Sequence, residues 1–219
     1  SWGTAFGLHL SKNWDSVQLW GIEESQVGSI NNSHNNPDFL PGITLPSNIS
    51  ATLDLTSATQ DADAVFIVTP SQVTRSVVQQ LAKCSLNNDV PIIGMSKGLE
   101  LSTLKRMSEV ISEEISTDCA GNNHPVAVLL GPSHAEEVAF GQPSAVVLAG
   151  SGQIWHHWQK LLSSKRFRVY TNEDITGVEI SSAFKNVLAI ATGISDGLGY
   201  GDNTRGALLT RGLTELSLL

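Results

Sequence analysis

Short apolar runs alternate with longer segments of helical period along most of the chain. The runs, rich in Val, Ile and Leu, predict strands at 16–20, 64–68, 91–94, 126–130 and 145–149. The segments between them predict helices at 4–12, 72–83, 100–116, 134–140 and 153–163. Nearly continuous apolar strands separated by helices are typical of a parallel sheet covered on both faces. The pattern therefore predicts an α/β fold with a largely parallel, doubly wound sheet.

The chain departs from this alternation in two places. Three prolines within 31–56 predict an extended surface excursion rather than another helix. After Tyr170, small residues with a helical period prevail through 175–194, and a further helix starts near Asn203. This change of texture predicts a domain boundary. The two domains expected are 1–178 and the start of a helical second domain at 179–219.

Both ends of the chain lack the signals that normally open and close such a fold. Residues 1–7 predict a turn that feeds a helix, without the strand against which that helix should pack. The last helix stops at Leu219 without a Gly, a Pro or another C-terminal signal. We therefore expect a chain that lacks at least one N-terminal strand and most of its second domain.

Composition narrows the classes of function. The chain has 13 Lys plus Arg against 21 Asp plus Glu, a formal charge of −8, which argues against nucleic acid and anionic membrane surfaces as partners. No apolar stretch reaches the roughly 18 residues of a membrane span. The two cysteines, Cys84 and Cys119, lack a paired metal-ligand spacing, so we expect free thiols and no metal site. A cytoplasmic protein is the expectation.

Gly3 and Glu23 have the spacing of a dinucleotide-binding unit. In such units a glycine at the start of the first helix allows close packing on the sheet. An acidic residue about 20 positions later binds the ribose hydroxyls. The alternative is an ordinary α/β helix followed by a Glu that faces solvent.

Pro70, Lys97 and Ser133 each lie in a turn directly after a predicted strand. Because the carboxyl ends of parallel strands form the ligand crevice, Pro70 could line a cofactor and Lys97 could contact an anion. The hydroxyl of Ser133 and the nearby backbone donors favour an anion or a polar oxygen. The alternatives are a simple helix start at Pro70, a solvated Lys97, and a capping box between Ser133 and Glu136.

A helical wheel over 179–196 separates a broad apolar face from a face of small residues. The apolar face holds Ile180, Ala183, Phe184, Val187, Leu188, Ile190, Ala191 and Ile194. The opposite face is small except for Lys185, so the wheel predicts a lone cation over a partly desolvated cleft. Burial, or a second cation such as Lys97, would lower the Lys185 pKa towards the range of a general acid or base. The alternative is a surface lysine on an amphipathic helix.

Taken in order, these motifs resemble the NAD(P)-dependent glycerol-3-phosphate dehydrogenase family in its bacterial form. The matching stretches are 1–5, 36–41, 68–71, 97–100, 131–137, 167–170, 185–187, 201–205 and 210–212. The resemblance implies a Rossmann-type domain followed by the start of an all-helical domain. It also implies an oxidoreductase that interconverts sn-glycerol 3-phosphate and dihydroxyacetone phosphate by hydride transfer with NAD or NADP, feeding glycerophospholipid synthesis.

The resemblance also implies roles for single residues. Lys185 is similar to the family's proton donor and acceptor, and Lys97 to a residue that contacts both substrate and cofactor. The substrate contacts implied are Lys97, Gly131, Ser133, Lys185 and Asn186. The cofactor contacts implied are Ser1, Trp2, Lys97 and Ala135, to which the spacing and the strand ends add Gly3, Glu23 and Pro70.

Glu23 favours NAD over NADP, because a carboxylate binds ribose hydroxyls and repels a 2′-phosphate. The partner expected is a small phosphorylated substrate, and formation of a homodimer is left open. Since other family substrate contacts lie outside this chain, we expect the chain alone to have little or no activity. Two alternatives stay open: another two-domain dehydrogenase of the 3-hydroxyacid or 6-phosphogluconate type, and a non-catalytic dinucleotide-binding or redox-sensing module.

Overall fold

The computed structural model describes residues 1–87, 89–115 and 123–218, so Cys119 lies outside the described residues. The strands are β1 (Val17–Trp20), β2 (Ile49–Thr52), β3 (Val65–Ile67), β4 (Ile92–Gly94), β5 (Val126–Leu130), β6 (Ser144–Ala149) and β7 (Phe167–Asn172). The helices are α1 (Trp2–Leu10), α2 (Glu24–Ser33), α3 (Leu55–Thr59), α4 (Ser71–Leu81), α5 (Met107–Ile115), α6 (Ala135–Ala139), α7 (Ile154–Leu162), α8 (Ile175–Gly197) and α9 (Asp202–Leu216).

The strands form one five-stranded sheet and one two-stranded sheet. The larger sheet has the order β3-β4-β5-β6-β7, and β1 pairs with β2. All pairs are parallel except β5 with β6, which run antiparallel. The predicted α/β fold with a largely parallel sheet is therefore confirmed.

Helices cover both faces of the larger sheet, and alternate residues of β5 show this. Ala127 and Leu129 belong to an apolar cluster with side chains of α1 and α7. Val128 and Leu130 point the other way, into a cluster with the first turn of α8. The helices α4 and α5 pack on that second face, against β3 and β4. A strand buried on both faces has no polar side to show, which explains the continuous apolar run of β5.

A cavity separates the two sheets. Among the described residues β1 and β3 are not paired with each other. The space between them, about 780 Å³, is lined by residues of β1, β3 and α1. A single additional strand, paired with both free edges, is the element that such a gap would accept. The missing first strand stays a prediction.

Two predicted segments are wrong in detail. The segment 31–56 is not an excursion, because it contains the last turn of α2, the strand β2 and the start of α3. The helix predicted at 100–116 begins only at Met107. The preceding residues form a loop with a backbone bridge between Leu99 and Arg106, which holds them out of a helix.

The long helix α8 packs through its polar side. Its fully buried residues are Glu179, Ser182 and Ser195, whereas the apolar side chains of Val187 and Ile190 are 59% and 64% exposed. Only part of the predicted small-residue face is covered: Ser182 is buried and Lys185 is partly buried, whereas Ser181, Asn186 and Gly193 are exposed. Within the described ranges, no helix combines the length and the apolar character needed to cross a membrane.

We predict that His9 makes stability depend on pH. The side chain is 4% exposed, its Nε2 lies 2.7 Å from the Leu162 carbonyl oxygen, and burial lowers its pKa below the usual 6.5. The unfolded chain therefore binds a proton more readily. The free energy of unfolding should be unaffected by this group above pH 6.5 and should fall below it, by at most about 1.4 kcal/mol per pH unit.

Urea unfolding of the chain and of His9→Gln, followed between about pH 8 and about pH 5, checks this prediction. The variant should lose less stability over the acidic half of the range than the parent. The control is His157→Gln, at an exposed position of α7. Equal acid losses in the parent and in His9→Gln would contradict the prediction.

Candidate active site

Three parallel strands end side by side at one edge of the sheet. The row that crosses β3, β4 and β5 runs through Ile67, Gly94 and Val128. Pro70, Lys97 and Gly131 each lie three residues beyond that row. The sheet therefore brings together three turns that lie far apart in sequence. This agrees with their predicted positions directly after strands.

The turns of Pro70 and Lys97 are joined by direct contacts. The hydroxyl of Ser96 donates a hydrogen bond to the Thr69 carbonyl. Gly98 has a φ of +113°, and a Cβ at this position would lie 3.6 Å from the hydroxyl of Ser71. Because side chains disfavour this backbone region, glycine allows the chain to reverse directly after Lys97.

The loop that begins at Lys97 is fixed to α4. The side chain of Gln72 donates to the Leu99 carbonyl at 2.8 Å and accepts from the Leu101 amide at 3.0 Å. Arg75 donates two hydrogen bonds of 2.8 Å to the carboxylate of Glu100. These bonds, and a further one from Thr103, lower the Glu100 pKa from 4.5 to about 2. The carboxylate is therefore charged at neutral pH, and the anchor persists there.

Lys97 follows β4 and Lys185 lies on α8, and the charge of Lys185 acts on Lys97. Burial lowers the Lys97 pKa, and the charge of Lys185 lowers it further. Within the described part of the chain, neither lysine forms an ion pair with a carboxylate. Two cations without a counter-charge attract an anion, since a bound anion relieves their repulsion.

Gly131 and Ser133 complete this edge in different ways. A Cβ on Gly131 would lie 2.8 Å from the Ala145 carbonyl oxygen, so only glycine lets β5 end this close to β6. The predicted capping box is wrong: the N-cap of α6 is His134, without a side-chain hydrogen bond. Ser133 instead makes a long, 3.5 Å contact with the Gly131 carbonyl, which leaves its hydroxyl free to turn towards a ligand.

Two further residues of α8, Asn186 and Glu179, bear on the site. Asn186 is exposed, and among the described residues it makes no hydrogen bond. Sequence reasoning missed Glu179, which is 4% exposed and accepts hydrogen bonds from Arg106 and Ser108. The local sequence does not set this glutamate apart, because its partners lie more than 70 residues earlier in the chain.

The predicted cofactor residues lie around the large cavity and beside it. Ser1, Gly3, Glu23 and Pro70 all line the cavity between the sheets. Trp2 and Ala135 share a small apolar cluster with Leu40 at the start of α1. A Cβ added at Gly7 would lie 3.1 Å from the side chain of Leu19, whereas one added at Gly3 would make an ordinary 3.8 Å contact with Val68.

An additional strand would fill most of this gap, and the groups that suit a dinucleotide lie at one end of it, where β1 and β3 finish and where Ser1, Glu23 and Pro70 are found. The N-cap Ser1 makes no side-chain hydrogen bond to α1, so the backbone donors at this helix start can face phosphate oxygens. Glu23 follows β1 and is held by Gln26 at 2.6 Å, a carboxylate placed for ribose hydroxyls. Asn36 also lines the cavity, and its buried Oδ1 has no partner. A buried acceptor without a partner is a place for a ligand donor or a water molecule.

Comparisons with known proteins agree with this geometry. The family model for the N-terminal part of NAD-dependent glycerol-3-phosphate dehydrogenase matches residues 1–155. The chain belongs to this dehydrogenase family. The model for the C-terminal part matches residues 174–219.

Individual relatives of the dehydrogenase family are similar along the entire chain. The glycerol-3-phosphate dehydrogenase [NAD(P)+] of Bacillus anthracis is 46% identical over all of this chain and 64% of its own length. That of Bacillus pumilus is 41% identical, with 63% of its length covered. A crystal structure of glycerol-3-phosphate dehydrogenase from Coxiella burnetii superposes with a TM-score of 0.87 at 38% identity, over 99% of this chain and 64% of that one. The chain thus spans slightly less than two thirds of these relatives.

We predict that Gly131→Ala destabilises the protein. The new methyl group would meet backbone atoms of β6 at 2.8 and 2.9 Å, and backbone cannot move aside as a flexible side chain can. The free energy of unfolding should fall by about 1–3 kcal/mol, the usual cost of overpacking. Urea denaturation measures it.

The matched control for Gly131→Ala is Gly3→Ala. The nearest atom to a Cβ at Gly3 lies at 3.8 Å, and alanine is a better helix former than glycine. This variant should be as stable as the parent or slightly more so. Equal stability of Gly131→Ala and the parent would contradict the steric explanation.

Proposed function

We propose that this chain forms the dinucleotide-binding and proton-transfer part of a glycerol-3-phosphate dehydrogenase, which interconverts sn-glycerol 3-phosphate and dihydroxyacetone phosphate. The observation that carries the proposal is the pair Lys97 and Lys185, two cations without a counter-charge, of which Lys97 has a lowered pKa. The family supports the choice of reaction, since relatives are named glycerol-3-phosphate dehydrogenase [NAD(P)+]. Such an enzyme supplies the glycerol phosphate of glycerophospholipids.

The two lysines have complementary tasks in this proposal. The bound NAD or NADP supplies the hydride to the ketone carbon, or accepts it in the reverse direction. Lys185 donates a proton to the oxygen that gains negative charge, and takes the proton back in the reverse direction. Lys97 stabilises the same developing charge electrostatically. Burial and the charge of Lys185 lower the pKa of Lys97, so Lys97 gives up its proton more readily than an exposed lysine does.

Other residues at the strand ends bind and orient the reactants. The hydroxyl of Ser133 and the backbone at Gly131 contact the substrate, and Asn186 lies beside Lys185 for a further contact. On the cofactor side, Glu23 binds the ribose hydroxyls. The remaining cofactor contacts proposed are Ser1, Trp2, Gly3, Pro70, Lys97 and Ala135.

Several finer statements belong to the same proposal. The domains are 1–178 and 179–219, a division supported by the two family models, and the helix that crosses the boundary starts at Ile175. Contacts to the substrate phosphate come partly from residues outside these 219. The enzyme is cytoplasmic and forms a homodimer, for which the exposed apolar side chains of α8 offer a surface.

We predict that Lys185→Ala abolishes turnover but not cofactor binding. Loss of a general acid costs about 10²- to 10⁴-fold in rate, whereas the cavity that binds NADH is formed by other residues. The measurement is NADH oxidation that depends on dihydroxyacetone phosphate, together with NADH titration by fluorescence. The complete natural protein is used, with all sequence that flanks this chain.

The control for Lys185→Ala is Lys160→Ala, at an exposed position of α7, which should retain parental turnover. Near-normal turnover of Lys185→Ala would show that the assigned proton donor is wrong. NADH binding without any oxidation in the parent itself would instead favour a non-catalytic dinucleotide-binding module.

We predict that Glu23 gives the enzyme a preference for NADH over NADPH. The carboxylate repels a 2′-phosphate, so Glu23→Ser should improve kcat/KM for NADPH relative to NADH by about tenfold, the effect of about 1.4 kcal/mol. Steady-state kinetics with both cofactors measure the ratio. Glu24→Ser, at the neighbouring exposed position, is the control. A parent protein that clearly prefers NADPH would exclude this role of Glu23.

A further inference from the structure

Glu179 joins the helix of Lys185 to the loop of Lys97. Its carboxylate accepts hydrogen bonds from the Ser108 amide at 2.9 Å, from the Ser108 hydroxyl and from Arg106 at 3.0 Å. Only 4% of Glu179 is exposed. Among the described residues, this is the one ion pair that ties α8 to the preceding part of the fold.

The loop between Lys97 and Ser108 is closed upon itself. Leu99 and Arg106 form an antiparallel bridge, and the Glu100 amide donates to the Lys105 carbonyl at 2.9 Å. Since Arg75 also holds Glu100 on α4, the two ends of the loop are fixed relative to each other. A group bound by Arg106 is therefore fixed relative to Lys97.

The apolar contacts of α8 do not supply the same precision. Ile175 and Val178 pack against the sheet in the first turns of the helix, but apolar contacts are not directional and tolerate small rotations and shifts. A carboxylate with three donors is directional. Lys185 lies six residues further along, about 9 Å along the helix axis at the usual rise. A small rotation at Glu179 would therefore displace the ammonium group of Lys185.

We propose that Glu179 is a positioning residue: by binding Arg106 and Ser108 it fixes α8, and with it the position of Lys185 relative to Lys97. The catalytic meaning of this position rests on the proposed function above, but the hydrogen bonds of Glu179 do not. A buried ion pair is weak evidence for a contribution to stability. Positioning explains why a charge is buried here, where an apolar residue could have served packing alone.

The test measures how strongly Lys185 acts on Lys97. The probe is the labelling rate of Lys97 by acetic anhydride in the complete natural protein, quantified by mass spectrometry of the Lys97 peptide without substrate or cofactor. The free amine reacts, so a nearby cation speeds labelling at neutral pH. Lys185→Met should slow Lys97 labelling by about threefold, because loss of the neighbouring charge leaves less Lys97 as the free amine.

The same comparison is then made in a Glu179→Gln background. Glutamine keeps the shape but loses the charge that binds Arg106, so α8 should be free to shift. There, Lys185→Met should change the Lys97 labelling rate by less than about 1.5-fold. An undiminished threefold effect would overturn the proposal, as would the absence of any effect of Lys185→Met in the otherwise native protein.

Two further variants separate positioning from simple stabilisation. Glu109→Gln removes the other carboxylate of Arg106, at 3.0 Å, without a contact to α8, so the effect of Lys185 on Lys97 should persist. Ser108→Ala removes one donor and serves if Glu179→Gln does not fold. It should weaken the effect, and an unchanged effect in Ser108→Ala would overturn the proposal.

The outcome is distinguishable from failure of the proposed function. The labelling experiment involves no turnover. If Lys185→Ala retains activity while Glu179→Gln uncouples the lysines, the catalytic assignment fails and the positioning role stands. If both hold, Glu179→Gln should lower kcat with little change in the KM for NADH, and Glu179→Asp should partly restore kcat.

Discussion

Backbone hydrogen bonds align β3, β4 and β5 in parallel, and this alignment brings three distant turns to one edge of the sheet. Each strand contributes one short turn: Pro70 after β3, Lys97 after β4 and Gly131 after β5. A shift of one residue in any pairing would turn every side chain to the other face. The apolar clusters on both faces therefore fix the register, and the register fixes which residues meet at the edge.

The charges near this edge fall into two groups: those that form ion pairs and, among the described residues, two lysines that do not. Arg75 is bound by Glu100, Glu113 and Glu114, so the carboxylates on this side are already engaged. Lys97 and Lys185 have no such partner within the described residues. A chain with a net charge of −8 can thus keep a local pair of cations, because Glu100, three residues after Lys97, is bound to Arg75. Net charge says little about a site when neighbouring ions are paired in this way.

Sequence patterns predicted those parts of the fold that depend on local composition. The run 126–130 coincides with β5 because a strand buried on both faces must be apolar throughout. The helical period wrongly predicted a helix at 100–106. Its apolar residues do not pack, since Leu101 and Leu104 are 76% and 71% exposed, and the ion pair between Glu100 and Arg75 holds this segment in a loop. The strand β2 was missed because its four residues alternate and depend on pairing with β1.

The same limit applies to the site: sequence patterns singled out residues with a local signature, but not a residue whose role depends on distant partners. Lys185 stood out because its helix face is otherwise small, and Lys97 because it follows a strand. Glu179 did not, since its partners Arg106 and Ser108 lie more than 70 residues away in the chain. A buried carboxylate cannot be told from a surface one until the fold brings its donors into place. Positioning contacts are therefore harder to predict than the groups that they position.

The orientation of α8 follows from this polar anchorage. An amphipathic helix normally buries its apolar face, but here Glu179 and Ser182 face the sheet while Val187, Ile190 and Ile194 are more than half exposed. Desolvating a carboxylate is costly and is offset only by its three donors. Those contacts orient the helix with Lys185 towards the strand ends and direct its apolar side outwards. Exposed apolar surface of this kind is typical of a face that packs against further protein, and this chain spans only 63% of a relative such as that of Bacillus pumilus.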